Sequence, residues 1–145
     1  MGNLLNESDR KELSNRLARL TPDAKPLWGK MTPGHLLAHL IDLFEVTFAE
    51  RPVTVRKGLM NSAFGRWMLS TMPLPKNAKT DPEYLKRPVG NFEQDKAKVQ
   101  DYIQRFAAPE KFTFGASPWV GQMTPEQWAK SHYTHLAHHL KQFNL

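Results

Sequence analysis

Thr32-Pro33-Gly34-His35-Leu36-Leu37-Ala38-His39-Leu40-Ile41-Asp42-Leu43-Phe44 is the stretch on which the fold turns. A threonine at the N-cap followed by proline at the first helical position starts a helix, and the pattern carries it to about Glu50, ahead of Pro52. Leu36, Leu37, Leu40, Ile41, Leu43, Phe44 and Phe48 cover half or more of its circumference. A helix this apolar must be packed by neighbours on several sides, so it is central.

Working outward, Leu13, Leu17 and Leu20 recur at helical spacing and predict a helix from about Ser8 to Leu20, after which Pro22 and Pro26 impose an extended connection. Met60, Ala63, Phe64, Trp67 and Met68 predict a further helix within residues 57–71. Pro73, Pro75, Pro82 and Pro88 make residues 72–90 an ordered but irregular connection. Phe92, Val99, Tyr102, Ile103 and Phe106 predict a helix from about Asn91 to Phe106. Thr124-Pro125-Glu126-Gln127 combines an N-cap, a proline at N1 and a glutamine at N3, the capping-box arrangement, and starts a last helix that runs to the end of the chain. No strands of consequence are expected. Residues 1–145 read as one all-α domain, a four-helix bundle with an additional helix in a long crossover.

Composition narrows the chemistry. The 145 residues contain no cysteine, so disulfides, thiolate metal sites and a cysteine nucleophile are excluded, and any metal is held by nitrogen and oxygen. A small thiol arriving as a cosubstrate is not excluded. The formal charge is +6, yet Lys and Arg are dispersed among acids rather than run together, which argues against a nucleic-acid stripe. No stretch approaches the roughly 18 apolar residues of a membrane span, and the start lacks a signal-like apolar region, so a soluble, cytoplasmic chain is expected.

Six histidines form two groups, His35 and His39 on the central helix and His132, His135, His138 and His139 on the last. At about 100° per residue from His132, His139 falls near about 340°, His135 near about 300° and His138 near about 240°. His132, His135 and His139 thus share the stripe of Trp128, Leu136, Leu140 and Phe143, while His138 lies towards the solvent flank. His135 and His139 have the i, i+4 spacing at which two imidazoles meet one ion. Their competing reading is a pair of hydrogen-bonded core histidines, the reading that His35, His132 and His138 also carry. If the two helices pack antiparallel or obliquely, His39 can face the pair as a third ligand. His35, His39 and Asp42 would form one polar patch, in which Asp42 is either solvated or orients a liganding imidazole. Trp28, Trp67, Trp119 and Trp128 read as core and interface packing.

Trp28-Gly29-Lys30-Met31-Thr32-Pro33-Gly34-His35-Leu36-Leu37-Ala38-His39-Leu40 resembles the second-helix signature of DUF1569 proteins, in the DinB/YfiT-like superfamily. Pro118 to Trp128 resembles the family's segment before its last helix, and His135-Leu136-Ala137-His138-His139-Leu140-Lys141-Gln142-Phe143 resembles its closing pattern. The Pro73 to Pro82 connection is similar as well, so the likeness covers nearly the whole chain. It implies an up-down-down-up four-helix bundle, commonly a homodimer, with a metal held by His39, His135 and His139. In two places the chain departs from the pattern: Ser117 replaces an expected histidine, and His132 replaces an aliphatic residue.

Superfamily relatives that use small thiols imply an enzyme with a divalent transition metal, Zn or Ni foremost, a low-molecular-weight thiol cosubstrate and a small-molecule substrate, acting as an S-transferase or isomerase. The open coordination position of a three-imidazole site suits that chemistry. The alternative is a non-catalytic dimeric binding module stabilised by its metal, motivated by the lack of an unambiguous general acid or base. A DNA-binding role rests only on the positive charge and the superfamily's name.

Overall fold

The structure, a computed structural model, describes residues 2–145. Five α-helices carry the fold: α1 (Glu7–Ala18), α2 (Pro33–Thr47), α3 (Ala63–Thr71), α4 (Phe92–Arg105) and α5 (Pro125–Gln142). Two 3-10 turns, Pro82–Tyr84 and Pro109–Lys111, punctuate the connections. A minimal antiparallel hairpin joins β1 (Ala116–Ser117) to β2 (Gly121–Gln122), with Ala116 opposite Gln122 and Ser117 opposite Gly121. Gly121 has φ +75°, a left-handed conformation that glycine adopts without steric cost. Among the described residues, no helix is long and apolar enough to cross a membrane.

The helix starts follow local chemistry. Thr32 Oγ1 accepts from the His35 backbone N–H (3.2 Å), and Pro33 occupies the first helical position, where no N–H is needed. At α5 the capping box is complete: Thr124 Oγ1 accepts from Gln127 N–H (3.1 Å) while Gln127 Oε1 accepts from Thr124 N–H (3.0 Å). Ser62 and Asn91 cap α3 and α4 in the same way, through Gly65 N–H and Gln94 N–H.

The helix ends depart from expectation. The second helix stops at Thr47 rather than continuing to Glu50, because Ala49 turns left-handed (φ 54°) and the Glu50 and Arg51 N–H groups both return to the Glu45 carbonyl. The third lies within the expected residues 57–71 and begins at Ala63, where Ser62 supplies a cap. The last helix ends at Gln142, with Asn144 at φ 61°.

Twelve of the fifteen residues of α2 are buried, so this helix is the centre of the molecule. It packs against α4, while α1 packs against α4 and α5, and α3 against α5. Leu13 and Leu17 of α1, Leu36 and Phe44 of α2, Ile103 of α4 and Leu136 of α5 are fully buried in one cluster. Each such side chain contributes about 1.5–3 kcal/mol by leaving water. Contact between α3 and the core is lighter. Only Gly65 and Ser70 are buried there, and Phe64 and Trp67 stand 66% and 54% exposed, so Trp67 is not a core residue. The short α3 seats one edge on α5 and turns its Phe64–Trp67 ridge outward.

A candidate metal centre

The faces of α2 and α5 that meet carry the histidines. At one end of the contact, His132 is stacked on Phe44 with ring centroids 4.3 Å apart, and its Nε2 lies 2.7 Å from Thr47 Oγ1. The Thr47 hydroxyl proton goes to the Leu43 carbonyl (2.9 Å), so His132 donates from Nε2. That leaves Nδ1 buried without a partner. Burial holds this imidazole neutral and pushes its pKa down to about 3. His132 is a core residue.

Nearly one helical turn further along α5, three ring nitrogens converge. His135 Nε2 lies 3.1 Å from His39 Nε2 and 3.0 Å from His139 Nε2, and the three histidines offer ligand atoms all within 4.8 Å of one another. The outer nitrogens of two of them are already engaged. His39 Nδ1–H donates to the Tyr84 carbonyl oxygen (2.9 Å), and His139 Nδ1–H to Gln142 Oε1 (2.9 Å). The Gln142 amide is itself fixed, since its Nε2 donates to the Trp28 carbonyl (3.0 Å). Both tautomers therefore follow from their partners, and the Nε2 lone pairs of His39 and His139 point at His135. One proton on His135 Nε2 cannot satisfy both lone pairs well. An ion at about 2.0–2.1 Å from each nitrogen would satisfy all three, with nitrogens about 3.0–3.4 Å apart, and the donor set fits it.

Electrostatics keep the donors in the ligating form. Burial lowers the pKa of all three imidazoles. His139 is brought to about 3, first by burial and then by repulsion from His39. His135 falls well below the ordinary range through burial and the neighbouring His139 and His39. For His39 burial is the largest influence, opposed by the Tyr84 carbonyl and the Asp42 charge. Neutral imidazole is the state a metal ion requires.

The polar patch expected of His35, His39 and Asp42 is divided among separate duties. His35 is exposed and its Nδ1 lies 2.7 Å from Thr32 Oγ1, so it belongs to the cap. Asp42 is buried rather than solvated, but it touches no imidazole. Its carboxylate meets Arg51 Nη2 (3.3 Å) and accepts from the Arg87 backbone N–H (2.9 Å). Arg51 in turn donates to the Glu83 carbonyl (2.6 Å), so α2 grips the 3-10 turn that presents Tyr84 to His39. The orienting group is thus a backbone carbonyl brought from 45 residues away, which no spacing in the sequence signals. Gln142 was equally unremarked, although its position three residues after His139 on one helix face is a signal.

The three histidines line one wall of a cavity of about 520 Å³. Leu43, Met60, Leu69 and Trp128 make its apolar lining, and Ser131, Thr134 and Ser117 add hydroxyls. Trp128 is both packed and useful here, its Nε1–H donating to the Gly115 carbonyl (3.1 Å). Trp119 is 42% exposed and also lines the cavity, so it is not simple core packing. His138 is half-buried at the margin, edge-on to Trp28 at 5.7 Å. Residues 74–81 and Tyr84 also line the cavity.

Among family models, one described as "Protein of unknown function (DUF1569)" matches residues 4–145. No curated protein and no solved structure matches.

Proposed function

The chain belongs to the DUF1569 family, and we propose that it is a metal-dependent enzyme whose single divalent transition-metal ion, zinc or nickel, is held by Nε2 of His39, His135 and His139. The observation that carries this reading is the convergence of three neutral imidazole nitrogens, 3.0–3.1 Å from their neighbours, on the wall of a cavity large enough for a small substrate. Four long helices around these ligands accord with a four-helix bundle of the DinB type, up-down-down-up, which we propose assembles as a homodimer.

When bound, the ion would supply an open position that lowers the pKa of a small thiol and keeps it as thiolate. The chain's own residues do the rest. Tyr84 and Gln142 set the tautomers of His39 and His139 and hold their rings against rotation. Leu43 and Trp128 keep the metal side of the cavity dry, while Ser131 and Thr134 offer hydroxyls to a polar group on the substrate. The reaction class this suits is transfer of the thiol to an electrophile, or thiol-assisted isomerisation. Elemental analysis of the protein tests the first half: about one ion per chain is expected, and none in His39→Ala. Thiol-dependent consumption of an electrophile by the loaded protein tests the second.

A non-catalytic, metal-stabilised binding module is favoured by one specific observation. Asp81, the carboxylate lining the cavity, is taken up by Arg56 at 2.8 Å and is not free to act as a base. A metal-loaded protein with no thiol chemistry, whose melting temperature collapses on chelation, would establish that reading instead.

A further inference from the structure

The charged groups around the cavity do not balance. Lys76 and Lys79 are among the residues that line it, and among the described residues neither forms an ion pair with a carboxylate. The lining carboxylate, Asp81, is buried and neutralised by Arg56, whose Nη1 and Nη2 lie 2.8 and 3.1 Å from its two oxygens. What remains along the lining is two ammonium groups without a carboxylate partner beside a largely apolar surface.

Lys76 is also placed. Its Nζ sits 4.9 Å from the centre of the Trp28 ring, an attractive cation–aromatic arrangement. Trp28 is tied through its carbonyl to Gln142, which holds His139. The ammonium is thus docked on the same structural unit that orients one wall of the histidine cluster, rather than swinging free in solvent. In the same cavity, Leu43, Met60, Leu69 and Trp128 offer a surface with no charge to satisfy.

We propose that this cavity takes a small amphipathic anion, its apolar body on Leu43, Met60, Leu69 and Trp128 and its carboxylate, or an acid group of like charge, between Lys76 and Lys79. This rests on the proposed function only in taking the cavity as the substrate site. An amphipathic cation is disfavoured twice, by the lining lysines and by a metal ion when one is bound.

The test uses the full chain, metal-loaded and metal-free, titrated calorimetrically with octanoate, octanol and octylamine as matched probes. Octanoate should bind at least about tenfold tighter than octylamine in both forms. Lys76→Gln combined with Lys79→Gln should weaken octanoate about fivefold and leave octanol unchanged, and the octanoate affinity should fall with added salt. Equal affinity for octylamine, or octanoate affinity indifferent to the double substitution, would overturn the proposal, the latter by placing the carboxylate elsewhere. Metal content measured on the same samples keeps the two readings apart. A protein that binds no metal but keeps the lysine-dependent preference refutes the metal centre alone.

Discussion

His39 Nδ1 lies 2.9 Å from the Tyr84 carbonyl oxygen, so a ring on the central helix is held by the backbone of a connection 45 residues later. Because the acceptor is backbone, removing the Tyr84 hydroxyl leaves it in place, whereas loosening the turn does not. Arg51 pins that turn through the Glu83 carbonyl (2.6 Å) and the Glu83 carboxylate (3.3 Å) while contacting Asp42. We expect Tyr84→Phe to retain metal affinity and Arg51→Ala to lower it about 10–100-fold, the usual effect of losing an outer hydrogen-bond partner. Competition for zinc against a calibrated chelator measures both.

Gln142 performs the matching task for His139 with a side chain, so it can be deleted directly. Gln142→Leu removes the acceptor at 2.9 Å and the donor to Trp28 together. Zinc affinity should fall about 10–100-fold with helical content unchanged by circular dichroism. An unaltered affinity would mean that the ring is held by packing alone.

Removing a ligand should act on metal and stability together. His39→Ala is expected to abolish zinc binding while the apolar cluster still folds. In the wild type, zinc at 100 times its dissociation constant should stabilise the native state by about 2.7 kcal/mol. In the variant the melting temperature should be the same with and without zinc, as read by differential scanning calorimetry.

The buried His132 predicts a pH dependence of its own. In the folded chain its pKa is about 3, pushed down from 6.5 by burial. Below about pH 6.5 the unfolded chain binds a proton that the folded chain refuses, so stability is lost as pH falls from 6.5 towards 3, at up to about 1.4 kcal/mol per pH unit. His132→Leu removes that loss, and Thr47 keeps its bond to the Leu43 carbonyl. Urea unfolding of metal-free protein at pH 7 and pH 5 should show the variant gaining on the wild type as pH falls. Parallel curves would mean that the imidazole is not buried neutral.

The core around α2 predicts the cost of a cavity. Leu37 is fully buried at the centre of the molecule. Leu37→Ala should destabilise by about 2–5 kcal/mol, measured as a lower urea midpoint at constant slope.

Much of the fold was written locally. Thr32-Pro33 and Thr124-Pro125-Glu126-Gln127 start α2 and α5 through bonds that close within three residues, and the apolar sweep from Leu36 to Phe44 makes α2 central wherever its partners lie. The i, i+4 spacing of His135 and His139 likewise puts both side chains on one face of α5 regardless of the rest of the chain. Tertiary structure alone decided that the Tyr84 carbonyl and Arg51 hold the His39 ring, that Asp42 pairs with Arg51 instead of an imidazole, and that Trp67 faces outward. The division has a physical cause. Helix periodicity and capping depend on neighbours within one turn, so sequence determines them, whereas a hydrogen bond across 45 residues depends on how separate elements are brought together by packing, and no local pattern encodes its partner.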